Sequence, residues 1–262
     1  MPEGHTIHRL AREHTRLFRG QVIRTDTIQD RFAEGAALID GSVLRRAEAW
    51  GKHLFHDYGA GRHLHVHLGL YGKFVSGRLP APAPWGQLRL RLVGEEAYAD
   101  LRGPTACELL TRAEVRAIQD RLGPDPLRRD ADPERAWTRI SRSRAPIAAL
   151  LMQQEVVAGI GNVYRAEILF RHRVDPYLPG RELDRAVWEA MWDDLVVLMK
   201  AGVRSGRIIT TEREHRPGGR LTRDKASYVY RRDGQPCRVC GNRVATAELV
   251  ARNLFWCPVC QS

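Results

Sequence analysis

The stretch GQPCRVCGNRVATAELVARNLFWCPVCQ, residues 234–261, carries two Cys-x2-Cys knuckles, Cys237/Cys240 and Cys257/Cys260, with sixteen residues between them. That spacing lets two tight turns converge four thiolates on one tetrahedral Zn²⁺. Two disulfides or a redox pair are the competing readings; the first needs an oxidising compartment and the second a βαβ context, which the flanking residues do not supply. With all four positions taken by protein sulfur the metal is structural, and it braces a hairpin over 245–256. Cys107 is left over and reads as a buried bystander thiol.

Upstream of the knuckles the chain turns helical. Asp132 is placed to cap a helix with Pro133 at its first position, and helical spacing continues over 146–158, 162–172 and 183–201. Further back, GPDPLRRDADP (123–133) holds three prolines and reads as a linker. Before it, a helix is predicted over 111–122, and short alternating or apolar runs over 21–28, 42–50, 53–58, 63–70, 87–92 and 96–101 predict antiparallel β structure. The prolines of LPAPAPWG (79–86) make that segment a loop. Ile7, Leu10, Ala11, His14, Leu17 and Phe18 recur at helical spacing, so a helix with Glu3 and Gly4 in its first turn leads the chain.

Lysine and arginine exceed aspartate and glutamate by 42 to 31, a net charge of +11, and the residues from Gly202 onward hold 12 basic and 5 acidic side chains. A polyanionic partner is expected, nucleic acid first. No stretch of eighteen residues is free of charge, and the first twenty hold six charged side chains where a secretory signal would need an apolar run. The expectation is a cytoplasmic, nucleoid-associated protein without membrane contact.

Three local patterns bear on nucleic acid. Gly159-Ile160-Gly161-Asn162 lies between two predicted helices, with Gly159 as C-cap and Asn162 as N-cap, and an exposed helix N-terminus favours a phosphate. A plain αα-turn is the simpler reading of the tetrapeptide alone. Leu70 and Tyr71, between Gly69 and Gly72, form an apolar turn suited to insertion into a base stack, or else to packing on its own domain. His63, His65 and His67 share one strand face; no carboxylate stands at ligand spacing, so they read as packed or solvated.

Taken in order, Pro2-Glu3-Gly4, Trp50-Gly51-Lys52, His67-Leu68-Gly69-Leu70-Tyr71-Gly72, Asp100-Leu101-Arg102, Gln153, Gly159-Ile160-Gly161-Asn162-Val163-Tyr164, Glu167, Gly234-Gln235-Pro236-Cys237, Arg252 and Cys257-Pro258-Val259-Cys260-Gln261 span nearly the whole chain. This ordered set resembles the formamidopyrimidine-DNA glycosylase / endonuclease VIII family of base-excision repair enzymes. The resemblance implies an α+β multidomain fold. An N-terminal antiparallel β-sandwich with a leading helix (1–122) is followed by a linker (123–132), a helix–two-turns–helix domain (133–227) and a four-cysteine zinc finger (228–262). It also implies a monomer acting on damaged double-stranded DNA as a bifunctional glycosylase and abasic lyase.

The chemistry explains a leading proline. Removal of Met1 exposes a secondary amine at Pro2 whose lone pair attacks C1′ of a deoxyribose and expels the base. The resulting iminium, a protonated Schiff base, acidifies the C2′ proton for β/δ-elimination. Lys52 is a rival nucleophile, although it matches a family lysine that sits by the lesion's phosphate and sugar. Glu3 is the expected proton shuttle, a role in which burial must outweigh the helix N-terminus that favours its anion; complementing the helix dipole is its other reading. Leu70 and Tyr71 would support the extruded state, Asn162 and Arg252 would grip the backbone, and Arg102 would add a DNA contact.

The purine-directed branch has Asp-Pro-Arg-Arg-Phe-Gly where this chain reads Asp100-Leu101-Arg102-Gly103-Pro104, losing the second arginine and the stacking phenylalanine. Leu70-Tyr71 also lies closer to the endonuclease VIII side. Oxidised pyrimidines such as thymine glycol are therefore the expected substrates. The alternatives are a purine-directed enzyme excising 8-oxoguanine or formamidopyrimidines, and a non-catalytic zinc-finger DNA-binding protein. The polar segment 210–225 is expected to form a mobile loop over the lesion pocket.

Overall fold

The computed structural model describes residues 2–28, 30–216, 218–222 and 224–262. Met1, and Pro217 and Arg223 within the expected loop over 210–225, lie outside the described residues. The chain divides into two compact units, Met1–Arg121 and Leu122–Ser262.

The first unit opens with α1 (Gly4–Phe18), whose Ile7, Leu10, Ala11, His14 and Phe18 fall on one buried face. Among the described residues, nine strands follow in chain order: β1 (Val22–Asp26), β2 (Ser42–Val43), β3 (Arg46–Trp50), β4 (His53–Asp57), β5 (His63–His67), β6 (Lys73–Arg78), β7 (Leu88–Val93), β8 (Ala97–Arg102) and β9 (Ala106–Leu110). They form a five-stranded sheet ordered β2-β1-β7-β8-β6 and a four-stranded sheet ordered β3-β4-β5-β9, with antiparallel pairing throughout. Inward residues alternate along the strands as half-buried sheets require: Leu54, Leu64 and Val66 from one sheet meet Leu90, Leu92, Ala99 and Leu101 from the other and the apolar face of α1. Helices α2 (Ala33–Ile39) and α3 (Arg112–Arg121) complete the unit.

Strands β6 and β9 and helix α2 were not predicted. Both strands lie at sheet edges, and their largely half-exposed residues do not alternate between apolar and polar, which blurs the period on which a strand reading depends.

In the second unit, α4 (Pro133–Ile140) starts as predicted, with the Asp132 carboxylate accepting from Glu134 N at 3.0 Å and proline in the first turn. The helix expected over 146–158 is only α5 (Ile147–Leu150), followed by turns. The backbone groups that would extend it are engaged elsewhere. Gln154 O accepts from Gly123 N at 2.9 Å, Ala158 N donates to Pro124 O at 3.0 Å, and the Gln154 amide closes the turn by accepting from Gly159 N and donating to Ile160 O, both at 3.0 Å. Residues 122–126 are thereby buried, and the first half of the expected linker packs as part of this unit. A Cβ on Gly123 would collide with Val156 O, which explains glycine there.

Helix α6 (Asn162–Arg171) packs with α7 (Arg185–Ser205) around Tyr164, Ile168, Trp188, Met191, Leu195 and Met199. A hairpin of β10 (Ala245–Leu249) and β11 (Arg252–Trp256) closes the chain over a smaller core of Phe170, Tyr228, Val229, Val244 and Phe255. No helix among the described residues is long and apolar enough to cross a membrane.

Candidate active site and nucleic-acid interface

In the first unit the predicted residues gather at one end of the sandwich. Pro2 is half-buried, and Glu3, fully buried, is the N-cap of α1, its carbonyl accepting from Thr6 N at 2.9 Å. Helix α1 runs antiparallel to β3: Gly20 N donates to Leu44 O at 2.8 Å and Thr15 Oγ1 to Ala47 O at 3.2 Å. Twelve helical residues back from Thr15 span about 18 Å. Five extended residues on from Ala47 span about 16 Å. Glu3 is therefore carried toward the Gly51-Lys52 turn joining β3 to β4. Gly51 takes φ +57° there, the left-handed conformation this two-residue turn needs at its first position.

The neighbouring strand ends at the same place, because His67 pairs with His53 across β4 and β5. The turn that follows carries Leu70, 45% exposed, and Tyr71, 86% exposed. It is tight, with Gly72 N donating to Leu68 O at 2.9 Å; a Cβ on Gly72 would collide with that oxygen. The apolar pair thus points outward and is not packed on its own domain.

Arg102 does not present its guanidinium freely. It donates to Asp100 Oδ2 at 2.7 Å and to Trp85 O at 3.1 Å, and lies 4.0 Å from the centre of the Trp85 ring. Arg91 grips the same carboxylate in bidentate fashion at 2.6 and 2.9 Å and reaches Pro82 O at 2.8 Å. Burial alone would raise the Asp100 pKa, but hydrogen bonds from Arg91 and Arg102 hold it below the ordinary value.

Histidines fill much of the remaining polar interior. His14 and His56, both without exposure, share a 2.9 Å hydrogen bond. Burial lowers the pKa of His14 to about 3 and carries His56 well down as well. On the outer face of the four-stranded sheet His53 bonds His65 at 2.8 Å, and His65 bonds Glu108 at 2.8 Å. His63, His65 and His67 form no metal-binding group among the described residues.

In the second unit Gly161, not Asn162, is the N-cap of α6. The Asn162 side chain is engaged across the unit instead: Nδ2 donates to Asn253 O at 2.9 Å, while Oδ1 accepts from Arg165, which itself reaches Asn253 O at 3.1 Å. Asn162 therefore couples the start of α6 to the β10–β11 hairpin. Arg165 and Asn253 were missed in the sequence, although the i, i+3 spacing of Asn162 and Arg165 was a usable signal.

Arg252 is exposed and opens β11 directly after a two-residue turn in which Val250 and Ala251 both take positive φ, 53° and 50°. That is the turn hairpins prefer, held here without glycine at a cost in backbone strain. Glu167, fully buried, anchors the chain leading to the hairpin by accepting from Tyr228 N at 2.7 Å, from Val229 N and Tyr230 N at 2.8 Å each, and from the Thr210 hydroxyl.

The four knuckle cysteines lie together, all sulfurs within 4.8 Å of one another. Cys240–Cys257 and Cys237–Cys260 stand at 3.5 and 3.9 Å, far outside a disulfide bond. Those distances bracket the roughly 3.8 Å between thiolates in a tetrahedron with Zn–S near 2.3 Å. The residues fit structural Zn²⁺. Gln261 then ties the second knuckle down, accepting from Cys257 N at 2.9 Å and donating to Val174 O at 3.0 Å.

A buried N-terminal carboxylate, an exposed apolar turn and a zinc-braced hairpin together have the parts of a DNA-repair glycosylase. The family models agree. Residues 1–107 match the formamidopyrimidine-DNA glycosylase N-terminal domain, 122–214 its H2TH domain, and 234–262 the zinc finger found in FPG and IleRS. The chain is 56% identical over 268 residues to endonuclease 8 1 of Mycobacterium tuberculosis, covering 100% of both chains. It is 31% identical to the formamidopyrimidine-DNA glycosylase of Thermus thermophilus, covering 100% of this chain and 98% of that one. The crystal structure of MutM (Fpg) from Thermus thermophilus superposes with a TM-score of 0.80 at 28% identity, covering 99% and 98% of the two chains. Lactococcus lactis Fpg in complex with abasic-site DNA shares the fold, with a TM-score of 0.81 at 21% identity over 99% of each chain. The chain belongs to the formamidopyrimidine-DNA glycosylase / endonuclease VIII family of DNA glycosylases and abasic lyases.

Proposed function

We propose that this protein excises oxidised bases from duplex DNA through a covalent intermediate on Pro2, with oxidised pyrimidines preferred. The observation that carries the reading is the convergence of α1's N-terminus, the Lys52 turn and the Leu70-Tyr71 turn at one end of the sandwich. With Met1 removed, the Pro2 nitrogen attacks C1′, and the C1′–N bond to the base breaks as the sugar ring opens. Glu3, alongside the nucleophile, passes a proton to the ring oxygen. The iminium then loses its C2′ proton and expels the 3′ phosphate by β-elimination; δ-elimination removes the 5′ phosphate.

Lys52 holds the lesion's phosphate and sugar, and the exposed Leu70-Tyr71 turn fills the space the extruded nucleotide leaves. In the second unit, Asn162 aligns the start of α6 with the hairpin that presents Arg252, and both elements grip phosphate. The protein acts as a monomer in the cytoplasm, associated with the nucleoid.

Borohydride reduction with an oligonucleotide carrying thymine glycol is expected to give a covalent complex whose crosslink maps by mass spectrometry to Pro2. Pro2→Gly weakens it, and an N-terminal extension that acylates the proline nitrogen removes it. A crosslink on Lys52 or another side chain overturns the assignment. Single-lesion duplexes test the preference, and faster release of 8-oxoguanine than of thymine glycol reverses it.

A further inference from the structure

We propose that Trp85 is a base-stacking residue of this enzyme, held in place by the buried Asp100–Arg102 pair. It would stack on the base left unpaired when the damaged nucleotide is rotated out of the duplex. The inference rests on the glycosylase reading above and adds a specificity contact to it.

The indole is 65% exposed, yet the loop bearing it is firmly held. Arg91 binds the Pro82 carbonyl and Arg102 the Trp85 carbonyl, and both arginines converge on Asp100, which is 2% exposed. Three prolines, at 80, 82 and 84, further restrict the segment. The indole is thus fixed at the surface with the Arg102 guanidinium packed on it and about two thirds of its area left open, the pose of a preformed stacking platform.

Its surroundings name the ligand. The Arg102 guanidinium lies on the indole at 4.0 Å, Lys73 pairs with Arg102 across β6 and β8, and a Cβ on the next residue, Gly103, would meet Tyr71 O at 3.9 Å. Trp85, Arg102, Gly103 and the Leu70-Tyr71 turn therefore form one continuous edge, aromatic at both ends and basic between. An unstacked nucleobase with its flanking phosphate matches that edge in shape and charge. The arrangement also gives Arg102 a part in recognition despite its inward guanidinium: it acts as a positioning residue through Trp85.

The test uses the full-length zinc-loaded chain and a duplex with a tetrahydrofuran abasic analogue opposite 2-aminopurine. Wild-type protein is expected to quench 2-aminopurine emission on binding. Trp85→Ala should lose most of that quenching and bind about tenfold or more weakly, while undamaged duplex binding changes little. Trp85→Phe should restore part of both, and Arg102→Lys should weaken quenching with Trp85 intact. Trp85→Gln removes the ring at similar reach, which keeps the comparison with Trp85→Phe decisive where alanine loosens the loop. Unchanged affinity and quenching in Trp85→Gln would overturn the inference while leaving wild-type cleavage of damaged DNA intact. Absence of cleavage by the wild-type protein would instead overturn the glycosylase reading.

Discussion

The two units hold their candidate site residues by opposite means. The first wraps an apolar sandwich around neutral imidazoles, with His14 and His56 hydrogen-bonded to each other in its core. The second fastens its hairpin with charge and metal: four thiolates, the Glu167 carboxylate beneath three backbone amides, and the Asn162–Arg165–Asn253 link. The first arrangement needs no metal and loses stability as its buried imidazoles are forced to charge; the second depends on the metal its thiolates hold. Glu3 and Glu167 make the contrast compact. Both are fully buried; Glu167 accepts from three successive backbone amides, and Glu3 stands beside the half-buried Pro2.

The largest effect expected from this contrast is that of metal removal. Chelation, or Cys257→Ser, should release the β10–β11 hairpin and abolish binding to an abasic-analogue duplex, since structural zinc contributes on the order of 10 kcal/mol to the fold that binds it. Hydrogen exchange should show new exposure at 245–256 with strands β3–β5 still protected. Equal loss of protection in both regions would erase the distinction between the units.

Next in size is Glu167→Ala, which leaves several buried donors unpaired at about 1–3 kcal/mol each. Chemical denaturation should register a total of about 4 kcal/mol, and the amides of Tyr228, Val229 and Tyr230 should exchange first. A loss below about 1 kcal/mol would mean that solvent replaces the carboxylate and that the anchor is dispensable.

The smallest effect concerns acid. His14 has its folded pKa lowered to about 3 against 6.5 when unfolded, so the unfolded state takes up the proton first. Its contribution is fully present above about pH 6.5 and is lost as pH falls from there toward 3, with a slope approaching about 1.4 kcal/mol per pH unit. His56, lowered by burial and by His14, adds in the same direction. Thermal melts between pH 8 and pH 5 should therefore show the first unit destabilised, and replacing both residues by leucine should flatten the dependence. An unchanged slope in that double variant would move the acid sensitivity to other groups.

Much of this arrangement was legible in linear order. The Cys-x2-Cys spacing is local chemistry and needed no tertiary information to imply zinc. The Asp132-Pro133 helix start and most of the alternating strand runs were equally local. Leu70 and Tyr71 were recognisable because glycines flank them, and the structure exposes them on the turn those glycines close. The readings that failed depend on partners distant in sequence. The helix predicted over 146–158 stops after Leu150 because Gly123 and Pro124 bind the backbone that would have continued it, and the first half of the proline-rich linker is buried for the same reason. Asn162 leaves the capping position because a carbonyl 91 residues away accepts its amide.

Residue identity and spacing thus determined the metal centre, the family likeness and the identity of the nucleophile to be tested. Only the folded chain decided which way the polar side chains face. Arg102 looks like a DNA contact in the sequence and is an inward ion-pair partner in the structure, whereas Trp85 looks like an ordinary loop residue and stands exposed on the edge that leads to the Leu70-Tyr71 turn. The reason is physical: a motif records which groups are available, but a buried carboxylate such as Asp100 must be neutralised by whichever arginines the sheet register brings to it, and that register is a property of the assembled strands.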